Sequence, residues 1–172
     1  DKAGLVTQVD ETYKVDARVP QIAGSISGVP GANGWDISQV TISASAADPV
    51  PGSGLEALTY ILNNGAQTAY TNPLTLSDGE HVIQFNAKDF AGLVYTMTQT
   101  VKVDTTAPSL NVTTTLPPWN KDSIAIKGNA GDDGSGLSKV EISTDGTTWQ
   151  MMTGTTSWTH DWNTTTGTSG SH

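Results

Sequence analysis

The chain has 172 residues, enough for one or two domains, with a formal net charge of −9 and no cysteine. Only eight lysines and arginines are present and they form no basic cluster, which excludes a nucleic-acid-binding surface; the lack of cysteine excludes thiolate metal sites, thiol catalysis and disulfides. No apolar run is long enough to span a bilayer, so membrane insertion is not expected.

Apolar residues alternate with polar ones at a period of two along the chain, and no stretch has helical spacing. Together with abundant Thr, Ser and Gly, this pattern predicts an all-β fold of short strands joined by polar turns. Hairpin turns are predicted at Asn63-Asn64-Gly65, Ser77-Asp78-Gly79 and Asp145-Gly146. The predicted strands, in chain order, are 20–27, 37–46, 56–62, 66–70, 73–76, 80–88, 93–103, 109–115, 122–129, 137–144, 147–152 and 157–162.

An internal repeat is the most informative feature of the sequence. Residues 1–22 align without a gap to residues 89–110, at an offset of 88, with ten identities in 22 positions. Each copy has an Asp-x-Ala-Gly turn, an alternating strand and a Val-Asp-x-x-x-Pro linker, in which proline ends the strand. A period of 88 residues is too long for a solenoid and predicts tandem immunoglobulin-like β-sandwiches.

The repeat divides the chain into three parts. We expect residues 1–16 to be a closing strand of a preceding or neighbouring domain, residues 17–105 to be a complete sandwich, and residues 106–172 to be a sandwich without its last strands. Three interpretations account for this: a window from a longer repeat protein, subunits that assemble head to tail, or a product of proteolysis.

Under the head-to-tail interpretation, residues 5–15 are donated as a strand to the open edge of the 108–172 domain of another copy, which generates a filament. The expected partners are therefore other copies of the chain or adjacent Ig-like repeats. The donated side chains are Leu5, Val6, Val9, Tyr13 and Val15.

Several segments resemble the bacterial Ig-like repeats of large secreted and surface proteins. They are Asp-Phe-Ala-Gly at 89–92, Val-Asp-Thr-Thr-Ala-Pro at 103–108, Asp-Asp-Gly-Ser-Gly-Leu at 132–137 and Val-Glu-Ile-Ser-Thr-Asp-Gly at 140–146. The resemblance covers nearly the whole chain and departs from the family around 30–36 and at the C-terminus. It implies a β-sandwich that acts as a stalk, spacer or adhesive module at the cell surface or outside the cell, without catalytic residues.

The acidic residues offer little for catalysis. They lie mostly in turns, no nucleophile–base pair can be assembled, and the chain is predicted not to be an enzyme. No cofactor is expected apart from calcium, for which Asp104, Asp132 and Asp133 are the candidate ligands because calcium binds clustered oxygens. The alternative for these aspartates is that they cap tight turns.

Tryptophan is concentrated after residue 140. Trp158, His160 and Trp162 share one face of a predicted strand, which favours packing in a sandwich core. The alternative is a ligand-facing surface containing Trp149 and Trp158, which would make the chain a carbohydrate-binding or adhesive accessory module with a polysaccharide as its partner.

Overall fold

The computed structural model describes residues 2–166. Within that range there is no α-helix, and residues Thr164–Thr166 form a 3-10 turn. No helix in the described part of the chain is long and apolar enough to cross a membrane. The all-β prediction is therefore confirmed. The strands are β1 (Gln21–Ser27), β2 (Trp35–Asp36), β3 (Val40–Ala47), β4 (Leu55–Leu62), β5 (Thr68–Ala69), β6 (Leu74–Leu76), β7 (Gly79–Asp89), β8 (Val94–Val103), β9 (Ser109–Val112), β10 (Ser123–Gly131), β11 (Glu141–Ile142), β12 (Gln150–Met151) and β13 (Ser157–Asn163).

The chain divides into two compact units. The first unit contains residues up to 27, 40–76 and 80–101, and the second contains 28–39, 77–79 and the chain from 102 onward. β1, β3 and β6 form an antiparallel sheet with β3 in the centre, and the other large sheet has the order β2-β8-β7-β4-β5. Each predicted strand from 20 to 103 has an observed counterpart, whereas the short β2 within the 30–36 segment was not predicted.

The first unit buries one face of each sheet. Along β7 every second side chain from His81 to Asp89 is buried, as period two requires, and Phe85 is fully enclosed. Tyr70 joins the two sheets: its ring meets that of Phe85 edge to face at 5.5 Å, and its hydroxyl oxygen accepts a hydrogen bond from the Ala44 amide on β3. Such aromatic pairs add about 0.5–1.5 kcal/mol to the stabilisation from burial alone.

Two of the predicted hairpin turns in the first 105 residues have different outcomes. The turn at Asn63-Asn64-Gly65 is confirmed, because β4 and β5 pair across it and both asparagines have the positive φ that such turns require. The hairpin at Ser77-Asp78-Gly79 is wrong. The strands that it joins, β6 and β7, belong to different sheets, so the chain crosses between sheets at this point.

The second unit repeats part of this architecture. β9, β10 and β13 form an antiparallel sheet with β10 in the centre, the same arrangement as β1, β3 and β6. β11 and β12 pair across the predicted turn at Asp145-Gly146, although both are only two residues long. Counterparts of β7 and β8 do not occur among residues 109–166.

The core of the second unit contains the predicted tryptophan row. Trp158 is buried with Ile126, Val140 and Met152, and Trp162 packs against this cluster. Gly128 lies opposite Trp158 in the β10–β13 ladder, where an added Cβ would lie 2.2 Å from the Trp158 ring. Any larger residue at this position would clash with the indole as it is placed. The prediction of core packing is confirmed for this face of β13.

Candidate functional site

The two Val-Asp-x-x-x-Pro linkers are held by the same contact. Asp16 and Asp104 are related by the repeat offset of 88. The Oδ2 atom of Asp16 accepts a hydrogen bond from the Ser53 amide at 2.6 Å, and that of Asp104 accepts one from the Ser135 amide at 2.7 Å. The Oδ1 atoms accept the amides two residues further on, at 3.0 and 3.1 Å. Each aspartate therefore joins its linker to a loop of its own unit.

These hydrogen bonds favour the ionised aspartates. Hydrogen bonding led by Ser135 lowers the pKa of Asp104, and the amide of Arg18 followed by Ser53 lowers the pKa of Asp16. Hydrogen bonds between a charged and a neutral group are about twice as strong as those between neutral groups. Both linkers are thus held by charge-assisted contacts at neutral pH.

A second aspartate shapes each loop that the linker contacts. Asp48 Oδ2 accepts the Gly54 amide at 2.7 Å, and Asp132 Oδ1 accepts the Gly136 amide at 2.8 Å. Both glycines have positive φ, which glycine adopts without strain. The Asp48 loop and the Asp132 loop therefore share this aspartate-to-glycine hydrogen bond although they differ in length and sequence.

Asp78 adds a further anchor in the second unit. Its carboxylate accepts hydrogen bonds from the Thr105 amide and hydroxyl and from the Thr106 hydroxyl. These bonds lower the pKa of Asp78. The sequence did not predict this contact, because Ser77-Asp78-Gly79 has the composition of a hairpin turn. The segment after β8 is consequently held by two contacts: Thr105 and Thr106 bind Asp78, and Asp104 binds the Ser135 amide.

The candidate calcium ligands Asp104, Asp132 and Asp133 have different environments. Both carboxylate oxygens of Asp104 and one of Asp132 already accept backbone amides, which is the turn-capping geometry weighed in the sequence analysis. Asp133 is exposed. Calcium at these three residues remains a prediction.

The predicted donor segment, residues 5–15, forms no strand in the structure. Its apolar side chains are highly exposed, with Val6 at 90% and Val15 at 88%. The matching segment 93–103, by contrast, includes β8, where Val101 and Val103 are buried.

The two candidate ligand-facing tryptophans differ in exposure. Trp149 is 63% exposed, whereas Trp158 is 5% exposed and belongs to the core. A ring that is buried in the core cannot stack on a sugar, so Trp158 does not serve as a ligand-facing residue. Trp149 retains that role as a prediction.

Asp89 joins Asp16 and Asp48 in a cluster of three aspartates that was not predicted from the sequence. No sequence pattern connected Asp48 with Asp16 and Asp89. The available signals were the repeat, which pairs Asp16 with Asp104, and the Asp-x-Ala-Gly turn that begins at Asp89.

Comparison with known proteins supports the family resemblance. Residues 100–172 match the family model described as the bacterial Ig domain. No curated protein matches the chain. Bacterial Ig domains commonly occur in extracellular or surface proteins and are generally non-catalytic.

Proposed function

We propose that this chain, which carries a bacterial Ig domain over residues 100–172, is a non-catalytic structural repeat of an extracellular surface protein or filament. The observation that carries the proposal is the recurrence of one anchored linker at an offset of 88 residues. Asp16 and Asp104 each fasten the chain to a serine amide in the adjoining loop. Short linkers fixed in this way have little freedom to extend, so they transmit force directly from one domain to the next.

Single-molecule stretching tests the mechanical role. The first sandwich begins at β1 and ends at β8, so it encloses about 80 residues and should lengthen by roughly 250–300 Å when it unfolds. We expect a discrete force peak with this increment. Smooth extension without such a peak would contradict a mechanical role.

A finer proposal concerns residues 5–15, which we assign as the closing strand of a sandwich other than the one they precede. The exposed apolar side chains and the match to β8 support this. In the first sandwich β8 lies beside β7, and β7 lies beside β4. A segment matching β8 alone supplies only one of these two strands. The strand order therefore favours an adjacent repeat as the partner over a separate copy of the chain.

A tandem fusion tests the strand assignment. Two copies of the chain, joined through an extra copy of the 82–88 strand, should stabilise the second unit of the leading copy, as followed by tryptophan fluorescence during urea unfolding. Val15→Asp in the trailing copy should remove the gain, because its counterpart Val103 is fully buried. Val6→Asp is the matched control, because its counterpart Val94 is 51% exposed.

Equal effects of the two substitutions would contradict the assignment. The unfused chain distinguishes the two partners: sedimentation that shows a monomer at every concentration rules out donation between separate copies, and filaments would establish it. The filament and adhesion roles depend on that result.

The second candidate is a carbohydrate-binding accessory module, which the exposed Trp149 favours. Retention on insoluble polysaccharide, lost in Trp149→Ala, would support it. Trp119 is also highly exposed and provides the control substitution, since it lies outside the predicted surface.

A further inference from the structure

Three aspartates from distant parts of the sequence meet in the first unit. Asp16 lies in the linker before β1, Asp48 follows β3, and Asp89 is the last residue of β7. One carboxylate oxygen of each lies within 4.8 Å of the corresponding oxygens of the other two. Asp89 is fully buried, and Asp16 and Asp48 are partly buried. Three carboxyl groups are thus held together at one end of a sandwich.

The hydrogen bonds leave two buried oxygens of this cluster without a donor. Asp89 Oδ1 accepts the Leu93 amide at 2.8 Å and Asp48 Oδ2 accepts the Gly54 amide, but Asp89 Oδ2 and Asp48 Oδ1 have no hydrogen-bond partner. Buried carboxylate oxygens are nearly always satisfied, since an unpaired one loses its hydration without compensation. The cluster therefore has both negative charge and unused ligand atoms.

The guanidinium of Arg18, two residues from Asp16, does not supply the missing partner. Its Nη1 atom donates to the Val50 carbonyl. Among the ion pairs of residues 2–166, those of Lys88 and Lys139 are made with Glu56 and Glu141. A small cation can reach all three carboxylates at once, which a side chain on a neighbouring loop does not do.

We propose that Asp16, Asp48 and Asp89 bind a calcium ion. The ligand set consists of oxygen atoms, as calcium requires, with carbonyl groups and water completing six to eight ligands. The three oxygens lie within 4.8 Å of one another, no further apart than two ligands bound at about 2.4 Å on opposite sides of one calcium ion. Magnesium holds its ligands at about 2.1 Å and demands a tighter octahedron.

The second unit shows why the third aspartate matters. Asp104 and Asp132 reproduce the positions and amide contacts of Asp16 and Asp48, but no third carboxylate joins them among the described residues from 102 to 166. The proposed site is therefore distinct from the calcium ligands predicted from sequence. Bound calcium would tie the linker residue Asp16 to two loops of the first sandwich and so stiffen the chain before β1.

Calcium titration of the full chain, stripped with chelator, tests the proposal. Calorimetry should show one ion bound per chain, with an affinity in the range of about 10⁻⁵–10⁻³ M that extracellular modules use. The thermal midpoint, followed by circular dichroism, should rise with calcium concentration because the ion binds only the folded state. Magnesium at the same concentration should give a smaller rise.

Asp48→Asn and Asp89→Asn keep the side-chain shape and an oxygen for the Gly54 and Leu93 amides. Each should weaken calcium binding at least tenfold. Asp89 is buried, so the partly buried Asp48 provides the variant least prone to misfold. Asp104→Asn is the matched control, because it removes the equivalent linker carboxylate of the second unit, and it should leave the stoichiometry and affinity unchanged.

The proposal is overturned if the unmodified chain shows neither binding heat nor a thermal shift up to about 10 mM calcium, which is above the weakest range for such modules. It is also overturned if Asp48→Asn binds calcium as tightly as the unmodified chain, or if Asp104→Asn removes the binding. An equal response to magnesium would overturn the assignment of calcium.

Discussion

Gly134→Ala tests whether the Asp104 anchor stabilises the second unit. An alanine Cβ at this position would lie 2.4 Å from the Asp104 Cγ atom and 2.5 and 2.6 Å from its two oxygens. Carbon atoms in contact need about 3.5–4.0 Å, so the carboxylate must move by about 1 Å. That movement is larger than the hydrogen bonds to Ser135 and Thr106 tolerate.

The expected loss follows from these contacts. A hydrogen bond to a charged group contributes about 1.5–3 kcal/mol, and replacing glycine by alanine returns about 0.4–1 kcal/mol by restricting the unfolded chain. The net destabilisation should be about 1.5 kcal/mol if one of the two bonds is lost. The backbone of Gly134 does not have positive φ, so strain at that residue does not contribute.

Urea unfolding followed by tryptophan fluorescence measures this loss, because all five tryptophans belong to the second unit. Gly131→Ala is the control. Its Cβ would meet its nearest neighbour, Ser109 Oγ, at an ordinary 3.5 Å, and the change in stability should stay within about 0.5 kcal/mol. Equal stability of the two variants would refute the idea that Asp104 is confined by Gly134.

Three further outcomes are expected. Hydrogen bonding led by Ser135 holds the pKa of Asp104 in the folded chain below its unfolded value of about 3.9. The stability that ionised Asp104 adds is therefore complete above about pH 3.9 and is lost as the pH falls through the folded pKa. Asp104→Asn should therefore flatten the fall in urea midpoint below about pH 4; an unchanged slope would contradict this. Gly128→Ala should cost about 1–3 kcal/mol by overpacking against Trp158, with an altered tryptophan emission as its signature. Phe85→Ala should cost about 3–5 kcal/mol in the first unit, measured by circular dichroism of the tyrosines, all four of which lie in that unit; a loss below 1 kcal/mol would show that the core repacks.

Local patterns were sufficient to predict most strands. Period-two alternation located β7 within a residue of its observed ends, and the turn at Asn63-Asn64-Gly65 had a composition that few other conformations favour. The prediction was less accurate where strands are short: the predicted strand 137–144 contains only the two residues of β11, because alternation alone does not show where backbone pairing begins and ends. The pairing of β2 with the end of β8 had no periodic signal, since two residues are too few to show one.

The sequence by itself determined the all-β class, the 88-residue repeat and the family resemblance, because alternation, turn composition and self-similarity are properties of neighbouring residues. Only the tertiary structure brought Asp16, Asp48 and Asp89 together, since these residues are up to 73 positions apart and meet through the crossing of strands between sheets. It also decided that Trp158 is core and Trp149 is exposed. Burial depends on what packs against a side chain, and that is set by contacts between segments that no local pattern records.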